Sequence, residues 1–561
     1  MIKLSKVYFS ITLAISLSSF LEPSQAAVIL RDSTIAWQHH RYTTNADYSM
    51  KTMTTVDTDI VGVQFAGKVI ENELFRIVIV PEFGGRILSY YYKPTGHEYL
   101  YQSPCGTPYG MGEGNFYYNW LMVYGGIFPT FPEPEHGKTW LKPWQYTVVK
   151  STPDTVIVKM SMTDNSEYAA HPGQFNNGIT GIVCDVQVGV YSGQSGFSFN
   201  VNLTNPGTQS KKYEYWTCTT LTPGSDPGNT FTPVNSEMIV PMSTYQAAWS
   251  TNNWIGTYGS TFDFSKINML SEWTDMGIAY ATIRSDDYWG VINHDKQEGF
   301  FRIADRNITK GVKLWTWGKD AVNANKFIIS NGGKDDYIEL WGGVVMHFFD
   351  DATFNANSQL NWTEYFYPTV ALPGVTAMNN QGGAFMNLVS NAGTGKYDLT
   401  LDYSLTHTGA HYTLDFYTDQ NNLTPLFTET MLANSMGNSI QKSFGSTAFT
   451  NGVNNLKATL KNDQGEIVLT TLKQVVLANT AINNPTDDQK LVRITNRVRN
   501  QLEFIVEGGF SGELTIYSTD GKRIYSGSLI SGRQVDLQHS GIYIVKMTLN
   551  NRIFTEKIVL Q

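Results

Sequence analysis

Apolar and polar residues alternate with a period of two along most of this chain, the spacing of half-buried β-strands. Phe75-Arg-Ile-Val-Ile-Val80 is a β-rich run ended by Pro81 and Gly84-Gly85, and Arg86-Ile-Leu-Ser-Tyr-Tyr-Tyr92 resumes it. Val148-Val-Lys150, Val156-Ile-Val-Lys-Met160, Ile182-Val-Cys-Asp-Val-Gln-Val188 and Phe197-Ser-Phe-Asn-Val-Asn-Leu203 repeat the pattern at the intervals of antiparallel meanders. No segment before residue 370 keeps a helical apolar period. The pattern predicts an all-β chain whose first large unit, residues 27–372, is a sandwich of two big antiparallel sheets.

Pro373-Gly374 and the polar stretch from Asn379 to Gly383 mark a boundary. Short alternating strands follow at Tyr397–Tyr403, Tyr412–Tyr417 and Leu456–Leu460, predicting an immunoglobulin-like β-sandwich over 373–480. Residues 481–489 read as a linker. A last small β-sandwich over 490–561 is predicted from Glu513-Leu-Thr-Ile-Tyr517, a hairpin turn at Asp520-Gly521, and later strands at Gly541–Lys546 and Lys557–Leu560. At the other end, Lys3 and Lys6, the apolar stretch Val7–Leu21 and Ser24-Gln25-Ala26 read as a secretory signal peptide over 1–26.

Length changes the picture little: 561 residues need several cores. Composition changes it more. Charged residues are only 16% of the chain, and a net charge of −9 without a basic cluster excludes nucleic acid as a partner. Three cysteines (Cys105, Cys184, Cys218) allow one disulfide at most. Neither a zinc-type His/Cys spacing nor a phosphate-cradling glycine loop nor a Gly-x-Ser-x-Gly elbow is present, so no cofactor and no metal site is expected, and the acidic loop at Asp350-Asp351 leaves calcium open.

Ordered motifs carry a resemblance. Asn72-Glu-Leu74, Val80-Pro-Glu-Phe-Gly-Gly-Arg-Ile87, Gly96-His-Glu98, Gly125-Gly-Ile127, His136-Gly137, Tyr215-Trp-Thr217, Leu314-Trp-Thr-Trp-Gly318, Tyr337-Ile-Glu-Leu340 and Trp362-Thr-Glu-Tyr-Phe-Tyr-Pro368 occur in that order. The set resembles galactose-mutarotase-like proteins, and within them a family of unknown function. The resemblance implies a large antiparallel β-supersandwich with a carbohydrate cleft. The terminal unit resembles the type A C-terminal sorting domains of the type IX secretion system, through Gly541-Ile-Tyr-Ile-Val-Lys546 and Lys557-Ile-Val-Leu560. That implies export through the outer membrane, release or attachment at the cell surface, and the secretion machinery as a partner, with no transmembrane segment in the mature protein.

The mutarotase resemblance makes Glu339 the candidate acid/base. Alternation with Ile338 and Leu340 lets its carboxyl face a lined concavity, where burial would raise its pKa. The mutarotase histidine strand has its counterpart in Lys212-Tyr-Glu-Tyr-Trp-Thr-Cys218, which lacks a histidine. His136, in the loop Pro132-Glu-Pro-Glu-His-Gly137, is the substitute, with His171 second, as a substrate-binding group, and His97 and His294 after it. Glu364 is a candidate second carboxylate, since glycoside hydrolysis uses two. Arg86, after two glycines, is placed to hold a sugar hydroxyl or carboxylate, with an ion pair to Glu82 as the structural alternative. Trp216, Trp315 and Trp317 are candidate sugar platforms. Two functions remain open: a secreted enzyme acting on a glycan by hydrolase, lyase or epimerase chemistry, and a non-catalytic glycan-binding surface protein.

Overall fold

The structure, a computed structural model, describes residues 27–48, 50–56, 58–103, 105–106, 125–134, 137–138, 142–166, 177–228, 232–319, 337–391, 394–477, 492–498, 501–506, 512–519, 521–531, 533–537, 539, 541–549 and 552–560. Strands and short 3-10 turns account for its regular elements, and no α-helix occurs among the described residues. None of those residues forms a helix long and apolar enough to cross a membrane. The signal peptide and linker expected from sequence lie outside the described residues. The chain divides into two compact units, Met1–Leu477 and Ala478–Gln561.

In the first unit two large antiparallel sheets enclose the main core. One has twelve strands. Its path runs through Ile29–His40, Ile60–Glu71, Phe75–Val80, Arg86–Tyr92, His97–Leu100, Trp216–Ser225, Ile338–Gly343, Gly311–Thr316, Gly277–Ala281, Thr244–Ser250 and Thr261–Asp263, with Ile127–Thr130 joined to Trp216–Ser225. The other sheet has eight, from Ser236–Ile239 through Tyr288–Asn293, Glu298–Ile303, Ser358–Val370, Phe197–Asn205, Val183–Tyr191 and Thr155–Thr163 to Gln145–Thr152. Sequence alternation becomes burial alternation here. Val156, Val158 and Met160 are fully buried, while Ile157, Lys159 and Ser161, which alternate with them, are partly exposed.

The middle of the twelve-stranded sheet breaks that rule. Trp216–Ser225, Gly311–Thr316 and Ile338–Gly343 are buried along their whole length, so both faces of this part of the sheet are covered. Which face meets the other sheet is settled by Gly342. A Cβ there would stand 2.7 Å from the guanidinium carbon of Arg302, which reaches across from the eight-stranded sheet. Ile338, Leu340 and Gly342 therefore point inward, and Glu339, Trp341 and Gly343 point to the outer face.

Several motif residues turn out to be staples of this sandwich. Asn72 accepts from the backbone N–H groups of Leu74 and Phe75, and its side-chain amide donates to the Tyr191 and Gln194 carbonyls. Glu98 accepts from Ser89, Tyr90, Tyr99 and Leu100, and burial still holds its carboxyl above the usual range.

A smaller sandwich completes the first unit. Its sheets are Ala377–Asn379, Gly382–Asn391, Lys396–Leu405 and Asn438–Gly445, facing Phe427–Leu432, His411–Tyr417, Gly452–Lys461 and Ile467–Leu477. Its own core includes Met386, Leu401, Leu414, Phe416, Leu456 and Leu460. Leu372 and Met378 dock it onto Tyr288, Ile292, Phe301 and Tyr367 of the eight-stranded sheet. The second unit has a three-stranded sheet (Val492–Val498, Gln501–Val506, Arg533–Asp536) and a four-stranded one (Arg523–Leu529, Gly512–Ser518, Gly541–Leu549, Arg552–Leu560). Leu502, Phe504, Leu514, Ile516, Val545 and Met547 form its core. No disulfide links the three cysteines, and all three are buried.

Candidate functional site

The outer face at the middle of the twelve-stranded sheet gathers polar and aromatic side chains by register alone. Glu339 stands opposite Trp315 on one neighbouring strand and Thr220 on the other, while Trp341 stands opposite Lys313 and Cys218. Directly opposed residues share a face, so these six side chains form one patch. Phe128 extends it by pairing with Cys218.

Within the patch Glu339 Oε2 accepts from Trp341 Nε1 at 2.7 Å and lies 3.6 Å from Lys313 Nζ. The ammonium is boxed by aromatic faces, 4.2 Å from the Trp341 centroid, 5.1 Å from Phe348 and 5.9 Å from Trp315. Such contacts hold a cation that has left bulk water. Glu339 keeps 7% of its surface exposed and Lys313 4%, so this is an ion pair inside a nearly closed aromatic box. Cys218 lies beneath it. Burial drives its thiol well above the usual range, Glu339 adds to that, and Lys313 and Arg86 oppose it.

Arg86 joins the edge of the patch. Its Nη1 donates to the Gly125 carbonyl at 2.6 Å, and the guanidinium lies 4.1 Å from the Phe128 centroid. The alternative ion pair with Glu82 is not formed: Glu82 accepts instead from the backbone N–H of Ala66. Trp315 and Trp317 do share a side, edge to face at 4.8 Å. Tyr337 packs 5.5 Å from Trp315 and stacks on Tyr101 at 4.1 Å. The four make a buried aromatic wall beside Glu339.

Two sequence candidates sit differently from the expectation. Trp216 is fully buried and wedged rather than laid open: a Cβ at Gly311 would come within 2.6 Å of its indole, and Phe348 meets it edge-on at 4.9 Å. Its Nε1 donates to Glu214 at 2.8 Å. Glu364 does not stand beside Glu339. It lies on the inner face, where Arg302 Nε donates to it at 2.6 Å, Trp362 Nε1 at 2.9 Å and Thr217 Oγ1 at 3.0 Å. The whole sheet separates the two carboxylates, because Thr217 and Cys218 point to opposite faces. His136 and His171 lie outside the described residues. His97 is tied to Glu298 at 2.7 Å and His294 to Glu237 at 2.9 Å.

Lys313 was missed by sequence reasoning. Its signal is a lone lysine two residues before Trp315 in an otherwise apolar strand, Gly311-Val-Lys-Leu-Trp-Thr316. Nearby, Glu133 and Glu214 form a second polar cluster with Asp351. Asn177 donates from its backbone and side chain to Glu133 and from its side chain to Asp351. No three His, Cys, Asp or Glu among the described residues are grouped as metal ligands.

Burial, opposed by the Asn177 N–H, pushes Glu133 up to about 7. Burial, opposed by the Trp216 indole, pushes Glu214 up to about 8. Against an ordinary 4.5, the folded protein then binds more protons than the unfolded chain from about pH 4.5 to 8. Stability carried by these groups is lost as pH rises through that window. A Glu214→Gln variant, which mimics the protonated form, is expected to match the wild type near pH 5 and to exceed it near pH 8. The difference in thermal midpoint near pH 8 should correspond to a few kcal/mol, about the size expected from that shift. Thermal unfolding from pH 5 to 8 checks this, and parallel curves would refute it.

Comparison with solved structures finds distant likenesses. A TPR-domain containing protein from Parabacteroides distasonis is 18% identical with a TM-score of 0.48, covering 61% of this chain and 55% of that one. This chain thus spans just over half the length of that protein. A galactose mutarotase-like protein from Clostridium acetobutylicum is 11% identical with a TM-score of 0.37, covering 54% of this chain and 95% of that one. Another from Lactobacillus casei is 10% identical with a TM-score of 0.35, covering 54% and 99%. The family model described as "Domain of unknown function (DUF5107)" matches residues 42–369, more than half of the chain and nearly all of the large sandwich. The chain belongs to this family of proteins with a domain of unknown function.

Proposed function

We propose that this is a secreted, carbohydrate-active protein and that Glu339 is its acid/base. The observation that carries the reading is the Glu339–Lys313 pair boxed by Trp315, Trp341 and Phe348 on the outer face. A carboxylate facing an ammonium is set to take a proton from a sugar hydroxyl or ring carbon and to return it. Tryptophan faces beside it suit the apolar faces of a pyranose ring. The ordered motifs shared with mutarotase-like proteins support the same ligand class. Hydrolysis, elimination and epimerisation all use such a group, and the reaction type stays open among them.

The second reading, a glycan-binding surface protein without turnover, is favoured by one observation. Glu364, which would have been the paired acid, is locked into an ion pair on the far side of the sheet. A panel of neutral and acidic glycans, assayed for both binding and new reducing ends or unsaturated products, separates the two. Turnover by wild type that Glu339→Gln loses supports the enzyme; binding without turnover in either supports the second reading; no binding at all refutes both.

Export forms part of the proposal, on the resemblance of residues 490–561 to type IX sorting domains. Its own core and its separation from the first unit support an independent module. Deletion of 490–561 is expected to stop arrival at the cell surface while leaving glycan binding or turnover by the purified protein unchanged. Fractionation of cells expressing the truncated chain checks this. Normal surface delivery would refute the sorting role.

A further inference from the structure

A cavity of about 500 Å³, with Glu339 not among its lining residues, opens between the tip of one hairpin and the edge of the eight-stranded sheet. The hairpin joins Tyr42–Thr44 to Met50–Met53 and contributes Ala46, Asp47 and Tyr48. Gln145 and Ser161, paired across neighbouring strands, form part of the opposite wall with Thr163, Asn165 and Ser166. The volume falls within the range of pockets that take small ligands.

Two features show a built site. Lys142 is buried, with 8% of its surface exposed, and its Nζ donates to Ser166 Oγ at 2.7 Å in the cavity wall. Tyr48 sits at φ 68°, a left-handed value that a bulky residue rarely adopts, and its backbone N–H donates to the Asn45 carbonyl. Tyr48 is nonetheless 42% exposed, so apolar burial does not hold it there. Strain kept at a cavity rim for an exposed ring is the kind found at ligand sites.

The lining selects the ligand. It offers hydroxyls and amides from Gln145, Ser161, Thr163, Asn165 and Ser166, one carboxylate, one amine and one open phenol ring. Opposite charges leave no net field for a phosphate or a uronate, and the polar walls do not suit a lipid. Many hydrogen-bonding groups around one flat ring match a neutral, hydroxyl-rich molecule with an apolar ring face. We infer that this cavity is a second carbohydrate site, for a neutral sugar unit, with Tyr48 as its stacking platform. The assignment does not rest on any role of Glu339.

Met162 lines the same cavity and supplies a reporter. The full chain, labelled with ¹³C-methyl methionine, would be titrated with glucose, galactose, mannose and xylose, each to about 100 mM. The Met162 methyl resonance, assigned through Met162→Leu, is expected to shift saturably with at least one sugar. The shift should persist in Glu339→Gln and should weaken at least about tenfold in Tyr48→Gly, which removes the ring and suits the left-handed backbone. A Met162 signal unmoved by all four sugars would overturn the assignment. So would a response lost in Glu339→Gln but kept in Tyr48→Gly. Spectra otherwise superimposable on the wild type establish that Tyr48→Gly is folded.

Discussion

An Arg302→Met variant is expected to lose about 3–5 kcal/mol of stability in the large sandwich. Arg302 and Glu364 are both fully buried between the sheets and joined at 2.6 Å. The carboxylate has further donors in Trp362 Nε1 and Thr217 Oγ1, and Gly342 supplies the room for the guanidinium. Removing the cation leaves a carboxylate with neutral donors only, and a lone buried charge costs far more than a lost surface pair. Removing both charges, in Arg302→Met with Glu364→Leu, is expected to cost less than Arg302→Met alone. Thermal or urea unfolding of the two variants and of Glu364→Leu gives the coupling directly. A loss in the double variant equal to the sum of the two single losses would show that the pair is not coupled.

Glu339→Gln is expected to reduce turnover by about 10²–10⁴, the usual contribution of a positioned acid/base. Its shape is conserved, and the amide oxygen can still accept from Trp341 Nε1, which now donates to the carboxylate at 2.7 Å. Lys313 loses its ionic partner but keeps the Trp341 and Phe348 faces. The loss in thermal midpoint should therefore be smaller than that of Arg302→Met. A variant that unfolds as readily as Arg302→Met would mean that Glu339 is chiefly structural. Steady-state rates on the glycan found in the panel, beside melting curves, separate the two effects.

Much of the fold was legible because one periodicity generates it. Phe75–Val80 and Arg86–Tyr92 begin and end where Pro81, the two glycines and the alternation place them. The site was legible only in part. Alternation says that Glu339 and Trp341 share a face, but it cannot say which face meets a second sheet. Glu364, two residues after Trp362, looks the same in sequence as Glu339, two residues before Trp341; Arg302, some sixty residues away, decides between them. Trp216 read as a platform for its flat ring alone, and its threonine-rich strand, buried on both faces, carries no alternation that would have shown it wedged. Lys313 escaped because a lysine in a strand usually marks a wet face, and its box of aromatic rings comes from separate segments.

The Glu339 site is tested most directly by a crystal structure of Glu339→Gln soaked with the glycan that the panel selects. A sugar ring is expected on the outer face of the twelve-stranded sheet, with a hydroxyl within about 2.6–3.2 Å of the residue 339 amide. The ring should lie against Trp315 or Trp341. Sugar bound only elsewhere on the chain, with the Lys313 box unchanged and empty, would contradict it.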